Sequence, residues 1–451
     1  MNQKNELFEN APIPKAIATM AIPTIVSMLV IIIYNMADTF FIGQTGDQNM
    51  VSAVSLATPV FMLFMAIGNL FGIGGSSEIA RSLGAKDEKR VRWTSAFCFY
   101  GSIAFGILML ILFLWKMDAI LTLIGVSKNT EHYARVYLTY ICFGGPFILL
   151  SSAFSNIVRA EGSAKEAMIG NMIGTIINII FDPIMILGFG WGIVGAAVAT
   201  VLGNVCATVY YLLYFKFKNT VLSIRPKDFN MANGVASHVF SIGIPASLNN
   251  ILMSFSNIVL NNFLVKYGDD LVGSMGVAMK INMFVVLLQI GLCMGVQPLI
   301  AYNYGAKNVK RMKKIVFTVS GVAVVLGTLL TVIVFSQKTT LVAMFIDNEN
   351  IVYYGNRMLT ALMFSGPVLG ILFTAVNTIQ AMGKAIPSLI LTISRQGLCF
   401  IPALFILDAL YKENGVIYAQ PVADYFSIII SAIICFFLIR SFEKEVKAEK
   451  K

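Results

Sequence analysis

Charge is what this chain has least of. Only 12% of its 451 residues are Asp, Glu, Lys or Arg, about half the share of a soluble domain. It holds two histidines, and His132 and His238 both lie near the ends of apolar runs without metal-ligand spacing, so solvated side chains are expected there. The six cysteines (Cys98, Cys142, Cys206, Cys293, Cys399 and Cys435) fall singly within or beside apolar runs with no Cys-x-x-Cys pair. That pattern excludes a disulfide framework and a zinc ribbon, and reads as buried small hydrophobes. No Gly-Lys-Ser/Thr phosphate loop occurs, which removes ATP as a power source within the chain. The letters of Gly190 to Gly195 match Gly-x-Gly-x-x-Gly, but they join two apolar runs without a βαβ unit, so they form a turn. The glycines of 68–75 are expected to serve close helix packing.

What is present in quantity is hydrophobic sequence. Apolar residues make up 57% of the chain, and the mean hydropathy is +0.78. Runs long enough to cross a bilayer as helices recur at 16–42, 52–80, 93–116, 132–154, 167–188, 192–216, 239–265, 272–303, 314–335, 355–379, 386–407 and 415–440. The expected fold is therefore an all-α integral membrane protein of about twelve transmembrane helices. The first run is too long for a cleavable signal and lacks a clear cleavage site, so it reads as a first span.

The net charge of +10 does not point to nucleic acid, because the bases sit in alternate loops. Arg81 to Arg92, Lys216 to Lys227, Lys307 to Lys314 and the tail from Arg440 are base-rich, whereas Gln44 to Met50 has none. This positive-inside pattern predicts a multi-pass protein of the cell membrane with both termini cytoplasmic.

The two halves echo each other at an offset of about 221 residues. AIPTIVSML (21–29) answers to GIPASLNNI (243–251), Gly84-Ala85-Lys86 to Gly305-Ala306-Lys307, and Gly145-Pro146 to Gly366-Pro367. NIVRAEG (156–162) answers to NTIQAMG (377–383). Each half holds six runs, an even number, so the repeats are parallel and pseudo-symmetric. The expected organisation is an N-terminal lobe 1–216, a polar cytoplasmic linker 217–237 and a C-terminal lobe 238–451. Two lobes able to rock about a central site suit alternating access, and no catalytic constellation points to an enzyme.

Two aspartates lie within the apolar runs of the first half, Asp38 and Asp182. A carboxylate at bilayer depth costs about 2.5 kcal/mol or more, and its usual work is proton relay, cation binding or ion pairing. The repeat places apolar residues opposite both, Leu260 for Asp38 and the Ile401-Pro402 region for Asp182-Pro183. An ion site is thus expected in the N-terminal lobe alone. Asn178 lies one turn before Asp182 on the same helix face, and Ala196 and Thr200 are similarly spaced on the next run. Proximity and desolvation raise the proton affinity of paired carboxylates, and a small cation can replace the proton. The plainer reading is that either aspartate caps or breaks a helix, Asp182 through Pro183.

The twelve-run duplicated plan, YNMADTFFIG in the first run, GAKDEKR after the second and NIIFDP in the fifth resemble the multidrug and toxic compound extrusion (MATE) family, in its MepA-type branch. The likeness spans essentially the whole chain. It implies coupling-cation ligands at Asp38, Asn178, Asp182, Ala196 and Thr200, with Tyr34 joining the network and Pro23 as the first-helix hinge. It implies an antiporter that exports drug-like, often cationic amphipathic compounds against H⁺ or Na⁺, with no other cofactor. The chain departs from relatives with C-lobe acids in the seventh, eighth and tenth helices, since those runs carry none. A lipid-linked oligosaccharide flippase of related architecture is the alternative; it would favour a strongly basic cavity.

Candidate substrate contacts are Met253, Asn257 and Asn261 on the seventh run and Lys280, Met283 and Phe284 on the eighth, with Arg395 on the eleventh. Methionine suits promiscuous binding, although helix packing explains any one of these residues equally simply. Lys280 and Arg395 are the intramembrane bases, for which pairing with an acid such as Glu78 or Asp424 is the plainer expectation. Glu78 is expected to form a gate or to pair with Arg81; Asp408 sits at a run end and Asp424 has no evident role. The expected partners are small molecules and lipid, with the monomer as functional unit.

Overall fold

Backbone groups in hydrocarbon have no water to bond, so a chain this apolar must satisfy them within helices. The computed structural model describes residues 2–345 and 349–449, apart from the side chains of residues 2–5, 35, 38, 39, 48 and 269. All regular structure among the described residues is helical. In the first half α1 (Asn2–Glu9) is followed by α2 (Ile13–Gly43), α3 (Gln48–Gly84), α4 (Glu88–Trp115), α5 (Met117–Leu123), α6 (Glu131–Ala160), α7 (Ala164–Pro183) and α8 (Ile193–Phe217). The second half holds α9 (Val235–Val265), α10 (Asp269–Gly305), α11 (Val309–Ala343), α12 (Glu349–Ala381), α13 (Ala385–Ile393), α14 (Phe400–Tyr411) and α15 (Glu413–Glu449). Twelve helical segments of the described residues are long and apolar enough to span a membrane. Several outrun their apolar stretches. For example, α3 begins four residues before its run, at Gln48, because Asp47 caps it by accepting from the Asn49 N–H at 2.9 Å.

The duplication is visible in the backbone. Helices α3 and α10 both have 37 residues and end on a glycine, at Gly84 and Gly305. The lysine two places on has positive φ in each case, 61° for Lys86 and 56° for Lys307. A side-capping residue then opens the next helix: Asp87 accepts from Arg90 N–H at 3.0 Å, and Asn308 from Arg311 N–H at 3.2 Å. Bulky residues accept the left-handed conformation only where the surroundings fix it, so this shared turn reports common ancestry of the halves more strongly than the matching letters.

By contacts the chain divides into two compact units, one of residues 1–10 and 26–247 and the other of residues 11–25 and 248–451. The division differs from the expected lobe limits of 1–216 and 238–451. The beginning of α2 packs within the second unit, and the beginning of α9 within the first. Both exchanges end two residues after a helix-interior proline, Pro23 in α2 and Pro245 in α9. In the first unit α6 is the central helix, packed on α3, α4, α7 and α8 and buried on all sides from Ile148 to Ala160. Its repeat counterpart α12 is central to the second, packed on α10, α11 and α15. Outer helices such as α4 expose Leu108, Ile111 and Leu112, the apolar face required of a wall in lipid.

The 217–237 segment is docked rather than free. Ser223 and Ser95 exchange two hydrogen bonds of 2.9 Å, and the Tyr100 hydroxyl donates to the Ile224 carbonyl at 3.0 Å. Phe229 stacks on Phe97 beside a cavity of about 620 Å³ lined by Phe71, Tyr100, Phe105 and Phe240.

Candidate ion-coupling site

Helix α7 ends where its sequence forces it to. Pro183 has no N–H to donate to the preceding turn, and the backbone beyond it widens into a π-helical turn, Ile184–Gly188. Phe189 N–H closes that turn on the Ile184 carbonyl at 2.8 Å, and Gly192, at φ 52°, starts the chain back along α8. Such turns are rare and frequent at functional sites. Asp182 is the last acid before this break and has no exposed surface.

Two glycines bring α8 onto α7. A Cβ at Gly203 would sit 2.5 Å from the Gly174 carbonyl oxygen and 3.3 Å from Asn178 Cβ, so only glycine permits this approach. Asn178 therefore lies between Asp182 and Thr200, with Nδ2 3.4 Å from both Asp182 Oδ1 and Thr200 Oγ1. With the amide turned over, its nitrogen donates to Asp182 Oδ2 at 3.1 Å and its oxygen accepts from the Thr200 N–H at 3.0 Å. The second orientation is physically preferred because every group then has a proper partner. It also shares the N–H that a regular helix assigns to the Ala196 carbonyl, freeing electron density on that oxygen.

The result is a buried set of hard oxygens: one carboxylate, one amide, one hydroxyl and one backbone carbonyl. Asn178 and Thr200 are each 3% exposed and Ala196 is fully buried. Oxygen donors of this kind suit H⁺ or a small hard cation, not a transition metal. No group of three His, Cys, Asp or Glu able to hold a metal occurs among the described residues. Tyr34 is partly buried on α2, and the Asp38 side chain lies outside the described residues.

The other expected residues are placed as follows. Pro23 lies within α2, and Thr24 beside it returns its hydroxyl to the Met20 carbonyl at 3.0 Å. Met253, Asn257 and Asn261 follow one another at four-residue intervals along one face of α9, Met253 and Asn261 exposed and Asn257 partly so. Lys280, Met283 and Phe284 are exposed on α10. Arg395 is committed elsewhere: its Nε donates to Asp424 Oδ1 at 3.1 Å and its guanidinium lies over Phe373. Asp424 also accepts from Gln420 at 3.0 Å and Ser365 at 3.0 Å, which supplies the role its sequence context left open. Asp408 accepts from the Tyr267 hydroxyl at 2.6 Å. Glu78 pairs with Arg81 at 2.5 Å as expected, and also with Arg90 on α4 and His238 on α9, the latter at 3.6 Å.

Sequence reasoning missed Arg159. This base is buried at 4% exposure near the end of α6, and its Nε has no partner among the described residues. The available signal was the repeat, which has Gln380 at the same position.

Comparison with known proteins settles the lineage. The MatE family model matches twice, over residues 23–184 and 245–406. The chain belongs to the MATE family. It is therefore a multi-pass membrane transporter and not an enzyme, and the doubled match restates the internal repeat. Multidrug export protein MepA of Staphylococcus aureus strain MSSA476 is 36% identical over 431 residues, 96% of this chain and 95% of that protein. MepA of Staphylococcus saprophyticus is 33% identical over the same shares. These place this MATE chain in the MepA-like branch. Among solved structures, a multidrug resistance MATE transporter of the MOP superfamily in its outward-facing conformation superposes with TM-score 0.92 at 24% identity, covering 97% of this chain and 98% of that one. A MATE in the bent conformation gives TM-score 0.92 over 99% of both chains, also at 24% identity. The MATE fold is thus shared over the whole length.

Proposed function

We propose that this MATE chain is a multidrug exporter of the cell membrane, an antiporter that expels cationic amphipathic compounds in exchange for H⁺ or Na⁺. The observation that carries the reading is the buried Asn178–Asp182–Thr200 cluster, set between a helix break and a glycine contact. A carboxylate sealed from solvent in a membrane helix is costly unless it is paired or takes up a proton or cation. Full-length relatives that are multidrug export proteins support the transport direction and the substrate class. Asp38 and Tyr34, both of α2, would complete the ion shell, and loading it would remove negative charge that resists bending of α2 at Pro23. The exposed Met253, Met283 and Phe284 would offer adaptable apolar contacts to the drug, and Asn261 and the partly exposed Asn257 polar ones. The flippase alternative needs concentrated basic charge, and Arg395 is neutralised by Asp424. The basic loops support a topology with both termini cytoplasmic, and each chain, holding both halves, would work as a monomer.

The test is export of a fluorescent lipophilic cation from proteoliposomes under pH and sodium gradients imposed separately. One gradient is expected to drive export. Equal export with neither gradient present would sink the antiport reading.

A further inference from the structure

A buried guanidinium without a carboxylate is among the costliest groups a membrane helix can hold. Arg159 is in that position. Its Nη1 lies 3.3 Å from Asn156 Oδ1 and its Nη2 3.5 Å from Ser155 Oγ, both neutral. No ion pair to it forms among the described residues; the nearby Glu161 is engaged by Tyr214 and, at 2.7 Å, by Thr220. The fold itself does not require this charge. At the same repeat position α12 carries Gln380, also buried, within hydrogen-bonding range of Gln297. The half with a buried coupling acid has the arginine, and the half without one has the neutral amide.

Arg159 also terminates a line of polar groups that starts at Asp182. From the Asn178–Thr200 pair, Asn204 one turn along α8 donates to the Thr200 carbonyl at 2.9 Å and accepts from Ser151 on α6 at 2.7 Å. Ser155, one turn further along α6, accepts from Asn171 of α7 at 2.8 Å, and Asn171 accepts from Tyr211 of α8 at 3.2 Å. Ser151, Ser155 and Arg159 occupy successive turns of one α6 face. The line thus descends from the ion site to the membrane face bearing the basic loops, since Glu161 just beyond it bonds Thr220 of the basic 217–237 segment. Such a line is a ready route for ion or proton leakage.

We propose that Arg159 is the electrostatic barrier of this polar line. Its fixed positive charge keeps Na⁺ and protons from passing between Asp182 and the cytoplasm except through the transport cycle. A fixed cation in a polar path excludes other cations, as arginine does in selective pores. The proposal rests on Asp182 as the coupling site, but its test needs no drug, so its failure is distinct from a failure of drug export.

The experiment measures collapse of an imposed pH gradient, and separately of a sodium gradient, in drug-free proteoliposomes. Arg159→Gln, the residue the second half carries, is expected to speed the collapse of one gradient several-fold. Arg159→Lys is expected to remain as tight as the parent. Arg159→His supplies a switch within one folded protein: because burial lowers the imidazole's proton affinity, it is tight only at low pH, about 5, where the ring is charged, and leaky at about pH 8, where it is neutral. Tightness of Arg159→Gln on both gradients, equal leak in Arg159→Lys, or no pH difference in Arg159→His would each overturn the barrier. Should Arg159→Gln fail to reconstitute, the histidine variant alone decides.

Discussion

Asp182 and Asp424 are both buried acids, yet their surroundings give them opposite roles. Asp424 is tied by Arg395, Gln420 and Ser365, so its charge is compensated on the spot. Asp182 lies beside the neutral Asn178, with Thr200 behind it, a setting of hard oxygens that suits a proton or small cation. A structural ion pair has a recognisable mutational signature. Asp424→Leu, which strands the Arg395 charge, is expected to cost about 3–5 kcal/mol, whereas the double change Arg395→Met with Asp424→Leu should recover most of it. Thermal unfolding in detergent measures this, and equal melting temperatures for the single and double variants would refute the pairing role. The pair was legible in the sequence, because both residues stood out as intramembrane charges and pairing of Arg395 with an acid such as Asp424 was the plainer expectation; which acid it would meet, Glu78 or Asp424, was set by packing. Asn178 and Asp182 were legible because one helical turn fixes their alignment. Arg159 was not, since the absence of a counter-charge is a property of packing.

The elements hold the proposed ion site through a glycine contact and a helix break. Only the break could be read from Asp182-Pro183; the π turn after it and the approach of Gly203 to Gly174 depend on how α7 meets α8. Gly203→Val should force those helices apart and lower ion-driven export at least ten-fold, and even Gly203→Ala should cost about 1–3 kcal/mol as overpacking. Gly321 on α11, with nothing within 4 Å of its would-be Cβ, is the control. Gly321→Ala should leave transport intact and stabilise by about 0.5–1 kcal/mol. Normal ion-driven export by Gly203→Val would show that the close contact does not shape the site.

On the scale of the molecule, duplication explains both what the halves share and where they part. The paired 37-residue helices, positive-φ lysines and capped helix starts recur in each half. Twelve spans and their repeat were plain in the sequence because hydropathy and internal similarity are local signals. The exchange of helix beginnings between the units was not, as it depends on contacts between residues far apart in the chain, such as Ser247 donating at 2.7 Å to the carbonyl of Ala66, 181 residues away. Against that shared frame the asymmetry is specific: the first unit has buried Asp182 and a buried Arg159 with no ion pair among the described residues, the second a compensated Arg395–Asp424 pair. Ion handling is accordingly assigned to the first unit. The most direct measurement is ion movement in proteoliposomes driven by a drug gradient alone, comparing the parent with Asp182→Asn. The drug gradient should move protons or sodium through the parent and neither through Asp182→Asn. Equal drug-driven ion flux in both proteins would contradict the assignment.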